Sequence, residues 1–335
     1  MVDVLSCFFP TTVVFIDDNV SFLESIPKVL NIDRIIAVLF TNPLEALDYI
    51  NKTNCVNKLD CADLIRNYEE ESSSDWKSVM FNINRLHQKI YSSDRFANIS
   101  TVVSDCAMSE LDGIELCAKI ENKNIQKILL TGETEETKAI GAFNNGYINR
   151  FLKKEVVDFE KSVTDAINKS IHQYFSIYTS DISKHLALLS QTHLNDPVFA
   201  HFFSNVCLGK SYVEYYMIDN FGSYLFLTAK GQTGMLSVLT EKEMERIIKI
   251  GIESGEIASN VLEALQSREY MLVSHNRTGL LPPISEWDRY IQPARRLDGY
   301  HRYYFSLADS KRLDIDFENI KAFADSQKDI VFRKY

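Results

Sequence analysis

Between residues 12 and 154 the chain repeats one pattern: a short apolar run, a polar or acidic loop, then an amphipathic helical stretch. "TVVFI" (12–16), "RIIAVLF" (34–40), "TVVSD" (101–105), "KILLT" (127–131) and "NRFLK" (149–153) read as strands. "SFLESIPKVL", "NPLEALDYI", "GIELCAKIE" and "ETEETKAIGAFNN" read as helices between them, and a long helical stretch follows from about Val156. Asn42 is placed to cap the second helix, with Pro43 in its first turn. Five strands alternating with helices call for an α/β fold with a doubly wound, five-stranded parallel sheet. In such a sheet ligands sit beyond the carboxyl ends of the strands, at the topological switch point.

Those strand ends deliver Asp17 and Asp18, Asp105, Thr131, and the pair Lys153–Lys154. Three crowded carboxylates repel one another unless a cation compensates. A hard divalent ion such as Mg²⁺ suits one or two carboxylates, a backbone carbonyl and several waters. A lysine ammonium adds a point charge for a phosphoryl oxygen, and a threonine hydroxyl can hydrogen-bond another. The set suits moving a phosphoryl group onto a carboxylate. Taken singly, each piece is weak. A lone Asp at a strand end is more often a cap, and two adjacent lysines are an everyday surface pair. All four pieces, in this order and each at a strand end, make the functional reading the stronger one.

The segments "VVFIDDN", "SDCAMSELDG", "ILLTGE" and "NNGYINRFLKK" resemble the four signature segments of the CheY-like receiver domain of two-component response regulators. The resemblance implies a flavodoxin-like fold and a phosphoryl group accepted on Asp105 from a sensor histidine kinase or a phosphotransfer protein. It implies Mg²⁺ held by Asp17, Asp18, Asp105 and the backbone carbonyl of Ala107, with Thr131 as switch hydroxyl. Taking Phe151 as the switch aromatic selects Lys154 as the phosphoryl-binding lysine, and Lys153, on the other face of the strand, is the alternative. Two positions depart from the family pattern: Ser109 and Glu155 stand where proline is usual.

Residues 51–98 break the alternation. They include the polar "YEEESSSD" and then "WKSVMFNINRLHQKIY" (76–91), whose apolar spacing suits one amphipathic helix. A structureless loop of that length is uncommon inside a compact domain, so this reads as an insertion with its own helix. The expected organisation is therefore a receiver at 1–155, a helical linker at 156–208 and an output domain at 209–335.

The formal net charge is −10, with 16 Lys/Arg against 23 Asp/Glu in residues 1–155 and 20 against 23 in the remainder. Neither half is basic, which counts against DNA binding as the output. The six cysteines show no C-x-x-C pair and no zinc spacing. The amino terminus lacks the pattern of a secretion signal, and no run approaches the roughly 18 apolar residues of a membrane span. A reduced, cytoplasmic protein is the expectation.

In the carboxy-terminal half, "ISKHLALLSQTH" and "VFAHFFSNVCL" read as helices, the second capped at Asp196–Pro197. "SYVEYYMID" (211–219), "SYLFLTA" (223–229) and "GMLSVLT" (234–240) form an antiparallel meander, with "YMLVS" (270–274) and "RYYFSLA" (302–308) as further strands. Thr240 and Glu243 make a capping box for the helix that follows. A five-stranded antiparallel sheet with helices gives an α+β output domain, PAS-like or nucleotide-binding-like by analogy. No P-loop, G-x-G-x-x-G or G-x-S-x-G motif occurs, so no enzymatic output is expected. Arg295, Arg296 and Arg302, near Tyr300, Tyr303 and Tyr304, form a candidate output patch for phosphate or a stacked base. A solvated edge with core tyrosines is the commoner arrangement.

The segment "VEYYMIDNFGSYLFLTAKG" (213–231), joined to a receiver with a long insertion, makes the whole chain also resemble the Legionella-type quorum-sensing response regulators. That likeness implies dimerisation on phosphorylation and control of growth phase and virulence. The alternative reading is a module whose output domain senses a small ligand or nucleotide, with the receiver as one input.

Overall fold

The structure, a computed structural model, describes residues 4–29, 34–54, 65–67, 79–81, 84–180, 182, 192–219, 221–273, 281–308 and 315–326. The chain divides into two compact units: Phe9–Leu59 with Ser93–Ser180 and Phe323–Tyr335, and Met1–Phe8 with Asp60–Ser92 and Asp181–Ala322.

The first unit contains β1 (Thr11–Ile16), α1 (Val20–Val29), β2 (Ile35–Phe40), α2 (Pro43–Asn54), β3 (Ile99–Asp105), α3 (Gly113–Lys119), β4 (Gln126–Thr131), α4 (Glu136–Asn144), β5 (Arg150–Lys153) and α5 (Phe159–Tyr178). All strand pairings are parallel, in the order β2-β1-β3-β4-β5. This is the doubly wound sheet expected from the alternation, with its switch point between β1 and β3. Every residue of β1, β3 and β4 is buried, as strands covered on both faces must be. On one face Val14, Ile16, Val38, Phe40, Val102 and Leu129 share a core with Ala46, Ile50, Leu116, Ala139 and Ala142 of α2, α3 and α4. Residues one step along each strand point the other way. α5 packs against β3, β4 and β5 and buries Val163, Ala166, Ile167 and Ile171.

Local chemistry sets the helix starts. Asn42 Oδ1 accepts from the Leu44 and Glu45 amides, and Asp112 Oδ1 accepts from Glu115 N. Gly113 has a steric duty: a β-carbon there would fall on the carbonyl oxygen of Asp105. Only glycine lets the start of α3 approach the end of β3 this closely.

The second unit is built on a six-stranded antiparallel sheet. Its elements are α6 (Pro197–Gly209), β6 (Tyr212–Met217), β7 (Tyr224–Thr228), β8 (Thr233–Thr240), α7 (Glu241–Ser254), α8 (Ser259–Ser267), β9 (Tyr270–Leu272), β10 (Ile291–Pro293), β11 (Arg295–Asp298) and β12 (Arg302–Ala308). A two-residue amino-terminal strand, Cys7–Phe8, pairs with β6 at one edge, and the order continues β6-β7-β8-β12-β11. The meander and the Thr240–Glu243 capping box stand as read from the sequence. Phe203 of α6 packs edge-on against Tyr215 and Tyr224 of the sheet.

The strand count differs from the five expected. Cys7–Phe8 and β11 join the main sheet, whereas β9 pairs with β10 in a separate two-stranded ribbon. The single helix expected over 76–91 is also corrected. Val79–Phe81 pairs antiparallel with Ile65–Asn67, a helix covers Asn84–Gln88, and a 3₁₀ turn covers Lys89–Tyr91. A short apolar run carries no length with which to choose helix over strand, and a partner strand decides it. The polar stretch at 68–78 and most of the helix expected in "ISKHLALLSQTH" lie outside the described residues.

Candidate functional site

β1 carries Asp17 and Asp18 past its last residue, β3 ends on Asp105, and β5 delivers the lysines. Asp17 is 1% exposed and Asp105 8%, whereas Asp18 faces solvent. One carboxylate oxygen from each of the three lies within 4.8 Å of the others. Asp17 is held by its own backbone turn, its Oδ1 accepting from Asn19 N at 2.9 Å.

Lys154 Nζ reaches both buried acids, 2.7 Å from Asp17 Oδ2 and 2.6 Å from Asp105 Oδ1. Lys153 points elsewhere and pairs with Glu136 at 2.8 Å, on the exposed side of α4. The alternation of side chains along β5 separates the two lysines.

Burial pushes the Asp105 carboxyl above its ordinary value and the charge of Asp17 adds to that, while the Lys154 ammonium pulls against both. Burial disfavours the Lys154 ammonium too, but its hydrogen bonds to Asp105 and Asp17 prevail and hold it above the usual lysine value.

Thr131 closes β4 fully buried, its Oγ1 donating to the Leu152 carbonyl at 3.4 Å. Phe151 is half-buried against the α2–α4 core, and Ala107 is exposed in the loop after Asp105. The structure thus brings Asp17, Asp18, Asp105 and Lys154 into one cluster and leaves Lys153 outside it.

Sequence reading passed over Phe22, whose ring lies 4.9 Å from Lys154 Nζ. Its place on α1 gave no signal, because an aromatic at that spacing reads as ordinary core.

In the second unit the arginine patch splits. Arg296 lies opposite Tyr304, and Asp298 opposite Arg302, so these share one sheet face, whereas Arg295 lies opposite Phe305 on the other. Arg296 pairs with Asp298 at 2.8 Å. Arg302 and Arg268 both pair with Glu241 at 3.1 Å, and Tyr304 donates to the same carboxylate. Acids of the same domain therefore engage Arg296 and Arg302. Tyr303 is buried and donates to Asp196, the N-cap of α6.

A parallel sheet in this order, with buried acids and a lysine gathered beyond its carboxyl edge, has the architecture of a response-regulator receiver domain. The response regulator LqsR of Legionella pneumophila is 31% identical, with a TM-score of 0.79 over 97% of this chain and 94% of that one. The chain belongs to this response-regulator family. Two receiver-domain structures match about half the chain with lower scores. That of Clostridium thermocellum is 21% identical over 49% of this chain and 95% of its own, with a TM-score of 0.33. The CheY-like protein of Methanospirillum hungatei is 14% identical over 49% and 95%, with a TM-score of 0.32. No protein-family model matches the chain, and neither does any curated protein. Among the described residues no helix is long and apolar enough to cross a membrane.

Proposed function

We propose that the protein is a phosphorylation-driven switch in which Asp105 accepts a phosphoryl group from a sensor histidine kinase or a phosphotransfer protein. The observation that carries this reading is the Lys154 ammonium spanning Asp17 and Asp105 beside Asp18. In the reaction an Asp105 carboxylate oxygen bonds to phosphorus as the bond from phosphorus to the donor nitrogen breaks, and the donor histidine leaves. Two buried carboxylates and one exposed carboxylate form an oxygen donor set that suits Mg²⁺. Asp17, Asp18, Asp105 and the Ala107 carbonyl would hold it. When bound, the ion neutralises charge on the transferring group. Lys154 supports a phosphoryl oxygen, Thr131 turns towards another, and Phe151 follows into the space released.

In this reading the unit built on the parallel sheet, with α5 as its last helix, is the receiver and signals to the unit built on the antiparallel sheet, which is the output domain. Dimerisation on phosphorylation is part of the proposal, as is a role in quorum sensing and virulence control. An exposed apolar row on and after α4, Ile140, Phe143 and Tyr147, supports self-association. Size-exclusion chromatography with light scattering tests it on the full chain, with and without Mg²⁺ plus beryllofluoride, a phosphoryl mimic. Wild type should shift to a dimer and Asp105→Asn should not. An unchanged mass for wild type would remove dimerisation from the account.

A second reading, ligand sensing by the output domain, is favoured by a cavity of about 330 Å³ in the second unit. Val206, Tyr212, Met235 and Leu307 give it an apolar wall, with Lys210 at the lining. Saturable binding of a small amphipathic anion to the full chain, lost in Lys210→Glu, would support that reading.

A further inference from the structure

Lys154 makes a third contact that the two carboxylates do not account for. Its Nζ sits 4.9 Å from the centroid of the Phe22 ring, and Phe22 stands 6.1 Å from the ring of Phe159. Phe22 belongs to α1 and Phe159 opens α5, so two helices hold the aromatic pair beside the site. An ammonium within about 6 Å of an aromatic centroid is attracted by the ring quadrupole, more strongly where water is excluded. Only 27% of the Lys154 side chain is exposed.

We propose that Phe22 is a positioning residue for Lys154, an inference that rests on the receiver reading above. Lysine carries its charge on a flexible four-carbon stem, and among the described residues two carboxylates otherwise hold the ammonium. A divalent cation held by Asp17, Asp18 and Asp105 would repel the ammonium and compete with it for the carboxylates. The ring offers no oxygen to a metal, so its attraction for the ammonium survives metal binding. It keeps Nζ beside Asp105, where the new phosphoryl oxygens appear. Leucine at position 22 retains the apolar bulk without a π face, and tyrosine retains the face.

Calorimetry on the full chain with beryllofluoride at saturating Mg²⁺ tests this. The proteins are wild type, Phe22→Leu, Phe22→Tyr, Lys154→Met and the Phe22→Leu/Lys154→Met double variant. Phe22→Leu should weaken beryllofluoride binding by about 3- to 20-fold, the range a cation–π contact supplies. Phe22→Tyr should restore it, and Phe22→Leu should add nothing once Lys154 is methionine. Equal losses in both lysine backgrounds, or a tyrosine variant as weak as leucine, would overturn the proposal in favour of simple packing of α1. If wild type takes no beryllofluoride, the receiver reading itself falls. Metal-free thermal melts of the same proteins then decide the contact. A Phe22→Leu shift that vanishes without Lys154 supports it, and an unchanged shift overturns it.

Discussion

Lys154 Nζ lies 2.6 Å from Asp105 Oδ1, although β5 and β3 are not neighbours in the sheet. β4 runs between them, so the two groups meet only above the carboxyl rim. The ion pair thus depends on the whole sheet being assembled, and it couples the last strand to the central one.

Removing the ammonium should therefore be costly in a way that removing its neighbour is not. Lys154→Ala leaves two buried carboxylates facing each other and should cost about 2–3 kcal/mol, below the full penalty for breaking a buried pair because the lysine is partly exposed. Lys153→Ala breaks an exposed pair and should cost about 0.5 kcal/mol or less. Thermal unfolding at neutral pH and low salt compares the two.

Asp105 gives a second expectation, whose sign follows from its raised carboxyl. A group whose folded value is raised stabilises fully below its unfolded value and loses that contribution as pH rises through the folded one. At neutral pH the Asp105 carboxylate is thus a net cost. Asp105→Asn should melt a few degrees higher than wild type without metal, with the gap closing as pH falls through the raised folded value towards about 4. Saturating Mg²⁺ should raise wild type more than the variant. A variant that melts lower at neutral pH would contradict this.

His193 gives the opposite dependence in the second unit. Burial pushes its imidazole down to about 4, and its buried Nδ1 has no hydrogen-bond partner among the described residues. The unfolded chain binds the proton first, so stability is full above about 6.5 and falls as pH drops towards 4. His193→Leu should flatten that part of the curve in melts followed by Trp287, which is buried in the same unit.

Gly113 and Gly132 should respond differently to alanine. At Gly113 the new methyl meets the Asp105 carbonyl and the Leu129 side chain, so the β3–α3 junction must move at a cost of about 1–3 kcal/mol. At Gly132 the nearest atoms are 3.9 Å away and φ is −81°, which suits any residue. Melts of Gly113→Ala and Gly132→Ala should separate them, with phosphoryl-mimic binding reduced only in the first.

The parallel sheet and the acid–lysine cluster were legible because two local signals coincided. Hydrophobic periodicity marked each strand, and the residue at its carboxyl end was chemically unusual. Matching Phe151 to the family's switch aromatic pointed to Lys154 rather than Lys153, and it is Lys154 that meets the acids. Pairing between distant segments was not legible. Cys7–Phe8 is too short to show a period, and nothing local tells β9 to join β10 rather than the main sheet. The 76–91 helix failed for the same reason, Val79–Phe81 being claimed by Ile65–Asn67. Arg295, Arg296 and Arg302 looked like one patch in sequence, but the β11–β12 register puts Arg295 on the opposite face. Phe22 became visible only when the fold carried α1 beside the end of β5.

The central claim is that Asp105 is the phosphoryl acceptor. Intact-mass spectrometry after incubation with phosphoramidate, a small phosphoryl donor, tests it most directly. Wild type with Mg²⁺ should gain a single phosphoryl group, chelation should abolish the gain, and Asp105→Asn should gain none. An unmodified wild type, or an Asp105→Asn protein modified to the same extent, would contradict the account.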